Sequence, residues 1–179
     1  MTIWKAWGLW KEIMRKLLLL DADVIMDLHT LGLFEKIKKS YDICLTRAVF
    51  EEGIYYKKGG KKIDINIKNA TIIDDVDLES LRKVQREAKE ARLGIDPGES
   101  MSIAYLFQTE EEIFFCSCDK AAIKLISYMK LEKKSISLEK ALRSAGYHGR
   151  KLYPRHLEKT FKATVKEGKT LRIQFKKLV

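Results

Sequence analysis

The pattern of apolar and polar positions changes period repeatedly along this chain, and those changes mark its elements. Leu17–Leu20 is an uninterrupted apolar run that stops at Asp21. A run that short and that apolar suits a strand buried on both faces, as in a parallel sheet. Val24, Ile25, Leu28, Leu31, Leu33, Phe34 and Ile37 then recur at helical spacing over residues 23–39, with a break near Gly32. Ile43-Cys-Leu45 predicts a second short strand, and residues 47–56 a helix. Strand–helix alternation of this kind predicts a three-layer α/β/α domain around a central, mainly parallel sheet.

Further along, Gly59-Gly60 lies among Lys57, Lys58, Lys61 and Lys62 and predicts a basic turn. Residues 62–67 alternate strictly, like a half-exposed edge strand. Asp74, Asp75 and Asp77 lack calcium-loop spacing and precede a helix, so they predict a loop and a cap. That helix covers 78–93, with Leu81, Val84, Ala88 and Ala91 inward. Asp96-Pro-Gly-Glu99 has the form of a capping box opening a helix through Phe107. Residues 113–118 predict a strand ending at Asp119, 120–130 a helix, 135–137 a last parallel strand, and 138–144 another helix. The remainder predicts a helix near 154–162 and a strand near 170–175. At the other end, residues 3–14 predict an amphipathic helix. It carries Trp4, Trp7 and Trp10, a face that needs cover from the parent domain or a second subunit, with a membrane surface as the less favoured alternative.

Composition adds less than charge distribution. No apolar run reaches the roughly 20 residues of a membrane span. The charged N-terminus makes a poor secretory signal. Three cysteines make no disulfide framework, and Cys116 and Cys118 predict buried filler, so a cytoplasmic setting is expected. The net charge is +10. Residues 1–119 hold 18 Lys+Arg against 21 Asp+Glu, whereas residues 120–179 hold 17 against 4. So one-sided an excess suggests a surface facing a polyanion, with Lys120, Arg150, Lys151 and Arg155 as the candidate phosphate contacts.

The candidate chemistry is acidic. Asp21 ends the first strand, Glu51 and Glu52 follow the second, Glu99 opens a helix and Asp119 ends a later strand. Each has an alternative reading as a helix cap. Together they can reach one edge of a parallel sheet, where such folds place their ligands. Crowded carboxylates raise one another's pKa values, and hard divalent cations relieve the repulsion.

These residues resemble the motifs of PIN-domain nucleases. The quoted stretches are Leu-Leu-Leu-Leu-Asp21-Ala-Asp23-Val-Ile, Ala48-Val-Phe-Glu-Glu52, Pro97-Gly-Glu99-Ser-Met-Ser-Ile-Ala and Cys116-Ser-Cys-Asp119-Lys120. The resemblance covers roughly residues 16–145 and leaves residues 1–15 and a basic extension, 146–179, outside it. It implies Mg2+- or Mn2+-dependent hydrolysis of phosphodiester bonds, usually in RNA. Asp21, Glu52, Glu99 and Asp119 would be the catalytic acids, and Asp21, Glu99 and Asp119 the metal-facing ones. Glu51 is the alternative to Glu52. Many small members are toxins held by an antitoxin, which makes an antitoxin protein the implied partner beside a homodimer. Cys118 departs from the pattern, since the family often has a second acid there. Two other readings stand beside this one. One is a non-catalytic PIN-like scaffold binding RNA or protein. The other is a haloacid-dehalogenase-like phosphatase, which Asp21-Ala-Asp23 also resembles, although Ile25 and the absent Gly-Asp pair do not fit it.

Overall fold

The computed structural model describes residues 15–52 and 54–176. Trp4, Trp7 and Trp10 therefore lie outside the described residues.

At the centre of the sheet is β1 (Lys16–Leu20). On one side it pairs in parallel with β2 (Tyr41–Thr46), which is separated from it by α1 (Ala22–Thr30) and α2 (Phe34–Ile37). Gly32 between those helices has φ +68°, the left-handed conformation that ends a helix cheaply. A short helix, α3 (Arg47–Glu51), follows β2 directly, capped by Thr46. Then comes a separate antiparallel hairpin of β3 (Tyr55–Lys58) and β4 (Lys61–Asp64). The outer strand β5 (Thr71–Ile73) returns to pair in parallel with β2. After α4 (Leu78–Glu90) and α5 (Pro97–Gln108), β6 (Ile113–Cys116) pairs in parallel with the other side of β1. The order is β5-β2-β1-β6, all parallel. Ser135 adds one parallel bridge beyond β6, and the Ile136 N–H donates to the Phe115 carbonyl. The chain ends with α6 (Lys120–Tyr128), α7 (Leu138–Ser144) and α8 (Glu158–Lys176).

Pleating divides the leucines of β1 between two cores. Leu18 and Leu20 pack with Ile43, Leu45 and the apolar faces of α1, α2 and α7. Leu19 points the other way, with Ile113 and Phe115, onto α4, α5 and α6. All three leucines are fully buried, and each such burial stabilises the fold by roughly 1.5–3 kcal/mol. This is the three-layer α/β/α arrangement, and it brings the carboxyl ends of β1, β2 and β6 to one edge.

Three local readings change. Residues 47–56 are not one helix: the helix stops at Glu51, and Tyr55-Tyr56, good strand formers, enter β3. The strictly alternating segment joins that hairpin instead of the main sheet, because Gly59 and Gly60 (φ +57° and +77°) form a two-residue turn with both positions left-handed. Near 170–175 there is helix, not strand. Leu171 and Phe175, one turn apart, both pack onto the α4–α6 core while Ile173 is exposed. Within α8, Gly168 lies so close to the Lys124 carbonyl that a Cβ there would collide with it. Ser127 Oγ donates to the Val165 carbonyl at 2.8 Å, and Lys124 pairs with Glu167 at 2.7 Å. The basic C-terminal segment is therefore packed against α6.

Candidate functional site

Asp21 is the first residue past β1, and its N–H still bonds the Cys116 carbonyl of β6 at 3.2 Å. Its side chain caps α1, with Oδ1 accepting from the Ala22 N–H at 2.8 Å. Oδ2 accepts from Ser117 Oγ at 2.9 Å. The same hydroxyl accepts from the Asp119 N–H at 3.0 Å. Ser117 thus joins the ends of two strands and fixes Asp21 relative to Asp119. Asp119 in turn caps α6, with Oδ1 accepting from the Ala121 and Ala122 N–H groups. Burial pushes the Asp21 carboxyl up to about 6, against the bonds from Ser117 and Ala22 and with help from the charges of Asp96 and Asp23.

Glu99 arrives from the α5 capping box. Asp96 Oδ1 accepts from the Glu99 N–H at 2.7 Å, and Glu99 Oε2 accepts from the Asp96 N–H at 3.0 Å. Only 5% of Glu99 is exposed. Burial, followed by the charges of Asp119, Asp21 and Asp96, raises its pKa to about 8 despite the bond from Asp96. Glu52 closes α3 and approaches the same helix. A Cβ on Gly98 would collide with the Glu52 carboxylate, so glycine is what admits that side chain. The Gly98 N–H bond lowers the pKa of Glu52, but burial and the charges of Asp96 and Asp23 outweigh it, and the net shift is upward.

Asp21, Asp23, Glu52, Asp96, Glu99 and Asp119 line a single cleft of about 450 Å³ together with Ala22, Met26, Gly94 and Ile95. Among the described residues, none that lines it is cationic. The four sequence-predicted acids are brought together, and of the Glu51–Glu52 pair it is Glu52 that lines the cleft. Asp23 and Asp96 join them. Asp96 reads from sequence as a cap only, and Ser117 as filler between two cysteines. The signal that could have found them is position: each is within three residues of a predicted acid.

An oxygen-only donor set suits Mg2+ or Mn2+. Among the described residues, however, no three His, Cys, Asp or Glu side chains are already gathered around one point as a metal requires. The caps account for this. Asp21 Oδ1, Asp119 Oδ1 and Glu99 Oε2 each face a backbone N–H. Carboxylate oxygens keep further lone pairs, so a cation could use them if the side chains drew inward. The donor chemistry fits the ion.

The basic candidates are placed differently. Lys120, Arg150 and Lys151 are exposed, with no ion pair among the described residues. Arg155 is bonded to Asp27 of α1 through Nε at 3.0 Å and Nη2 at 2.6 and 2.7 Å. His156, fully buried, places Nε2 at 2.7 Å from the same carboxylate, while its Nδ1 accepts from the Tyr153 N–H at 3.2 Å. That accepting bond assigns the Nε2 proton to the Asp27 contact. This clasp has no counterpart in the sequence pattern, since its members are 128 and 129 residues apart. Cys44, Cys116 and Cys118 are buried free thiols.

Compared with known proteins, the chain matches no family model, no curated protein and no solved structure.

Proposed function

We propose that this protein is a nuclease that hydrolyses phosphodiester bonds, in RNA, with Mg2+ or Mn2+ held by the carboxylate cleft. The carrying observation is that six acids share one cleft with no cation among the described residues that line it, and that burial raises the pKa values of Asp21 and Glu99. A fold ordinarily avoids that arrangement unless a cation completes it. In this reading Asp21, Glu99 and Asp119 hold the metal and Glu52 orients the attacking water. Ser117 keeps Asp21 and Asp119 in register. A bound divalent ion would polarise the phosphate and lower the pKa of its water. Without the ion the cleft repels phosphate, so cleavage and metal loading are linked. An antitoxin-like protein and a second copy of the chain are the partners this reading carries with it. Among the described residues no helix is long and apolar enough to cross a membrane.

The test is cleavage of a labelled RNA in Mg2+ or Mn2+ by the full chain, its Asp21→Asn variant and a chelated sample. Cleavage should disappear in the last two. Unchanged cleavage by Asp21→Asn, or in excess chelator, rejects the reading. A non-catalytic RNA- or protein-binding scaffold is the second reading, favoured by the absence of a gathered three-ligand set among the described residues. Metal binding that saturates at a stoichiometric ratio and depends on Asp21 counts against it.

A further inference from the structure

We infer that the β3–β4 hairpin is an arm that grips the phosphate backbone of a single nucleic-acid strand next to the acidic cleft; this rests on the nuclease reading above. The hairpin begins immediately beyond Glu52, one of the cleft acids. Tyr55 is three residues on, so its Cα lies within about 11 Å of that of Glu52. Its base is anchored: Ile54 is buried, the Ile65 N–H bonds the Ile54 carbonyl at 2.9 Å, and β3 packs against α1. Four strand residues then carry the turn roughly 13 Å further from that base.

The charge placement on this arm works against the hairpin itself. Lys57 faces Lys62 in register, and like charges directly opposite destabilise a two-stranded ribbon. Lys57 and Lys61 are exposed and have no ion-pair partner among the described residues. Lys62 has a long, exposed contact with Asp64 at 3.9 Å and sits over the Tyr55 ring at 4.2 Å. An isolated two-stranded hairpin is marginal in water, so facing lysines make sense where an anion lies across them. Tyr55, on the same face as Lys57 and Lys62 by register, offers a ring on which a base can stack. Many cations of the C-terminal segment, by contrast, are already paired within the fold: Lys124 with Glu167, Lys169 with Glu132, Lys176 with Glu87, and Arg155 with Asp27. The arm supplies the attraction that the acidic cleft lacks.

The experiment measures binding of a fluorescent 12-nucleotide single-stranded RNA to the full chain by anisotropy over a KCl series, with Ca2+ in place of Mg2+. The Lys57→Ala, Lys62→Ala variant should bind on the order of tenfold more weakly at moderate salt. Its log–log salt slope should be shallower by about 1.4, since each of the two single-strand phosphate contacts contributes roughly 0.7. Thermal stability should hold or rise, because the like-charge pair is gone. An Arg150→Ala, Lys151→Ala variant controls for general loss of charge and should move the slope less. An unchanged slope in the hairpin variant overturns the inference, as does RNA binding by neither protein. Equal competition by polyglutamate of matched charge also overturns it, in favour of an acidic protein partner. Failure of the nuclease reading is separable: a chain that binds through the arm but never cleaves loses that reading and keeps this one, and a chain that cleaves with an unchanged slope does the reverse.

Discussion

Asp21 and Asp27 stand six residues apart at the start and in the body of one helix, and both are buried. Their surroundings are opposite. Asp27 receives an arginine and a histidine; burial would raise its pKa, but those bonds and the Arg155 charge hold it below the usual carboxylate value. Asp21 receives a hydroxyl and a backbone N–H, faces other acids, and is pushed up to about 6. Asp27 is a completed structural contact that ties the segment around 155 to α1. Asp21 belongs to a cluster of acids with no cationic side chain among the described residues that line its cleft. A buried carboxylate therefore says little about function until its counterion is accounted for.

The comparison can be broken most forcefully at Asp21. Asp21→Asn removes a charge and leaves the shape, so metal-dependent RNA cleavage should fall by about 10³-fold, on the order of 4 kcal/mol in the barrier, with a circular dichroism spectrum like that of the parent. At Asp27 the expected loss is of the fold. Asp27→Ala strands the His156 Nε2 proton and frees Arg155, costing about 3 kcal/mol. For a chain of this size that lowers Tm by roughly 6–12 °C in calorimetry, while metal binding should persist.

Acidity sharpens the same contrast, because the two sites have opposite signs. Raised pKa values at Asp21 (3.8 to about 6) and Glu99 (4.5 to about 8) mean that the folded state holds these protons more tightly. Their contribution is fully present below the unfolded values and is lost as pH rises through about 6 and then about 8. Asp27 is depressed, so its contribution is present above the unfolded value and is lost as pH falls through its lowered folded one. Melting in chelator should therefore show stability declining from pH 5 to 8, and Glu99→Gln should flatten the upper part of that decline. A decline of equal size in Glu99→Gln would remove Glu99 from the account. The smallest effect is expected at Gly98→Ala. The new methyl displaces the Glu52 carboxylate and breaks its bond from the Gly98 N–H. Cleavage should drop only about fivefold, or roughly 1 kcal/mol, with Tm nearly unchanged.

What the sequence made legible was local. Asp96-Pro-Gly-Glu99 is a capping box in the structure, Asp77 caps α4 and Leu138–Ser144 is a helix, because each depends on residues within one turn. Leu17–Leu20 identified the central strand because an apolar run of that length has few other uses. The edge strand Thr71–Ile73 was missed: three residues carry no period, and β2 supplies its pairing. Leu171, Ile173 and Phe175 satisfy both a strand and a helix pattern, and the choice is made by packing on α6 through Gly168, which local sequence does not contain. In the cleft, Asp21, Glu52, Glu99 and Asp119 were legible as residues that end strands or flank helices at one edge. Ser117 was not, since a hydroxyl between two buried cysteines acquires its role only when β6 is laid beside β1. Neither was the Asp27–Arg155–His156 clasp, which joins distant parts of the chain.

We propose above all that the acids of the cleft bind a divalent cation. The most direct test of this is the melting temperature of the full chain at pH 8 across a MnCl2 series, beside Asp21→Asn and Asp27→Ala. At a hundred times the dissociation constant, binding to the folded state alone adds about 2.7 kcal/mol, a rise in Tm of roughly 5–10 °C for this length. The account predicts that rise in the parent chain and, from a lower starting point, in Asp27→Ala, with no rise in Asp21→Asn. A parent chain whose Tm does not respond to Mn2+, or an Asp21→Asn variant that responds equally, would contradict it.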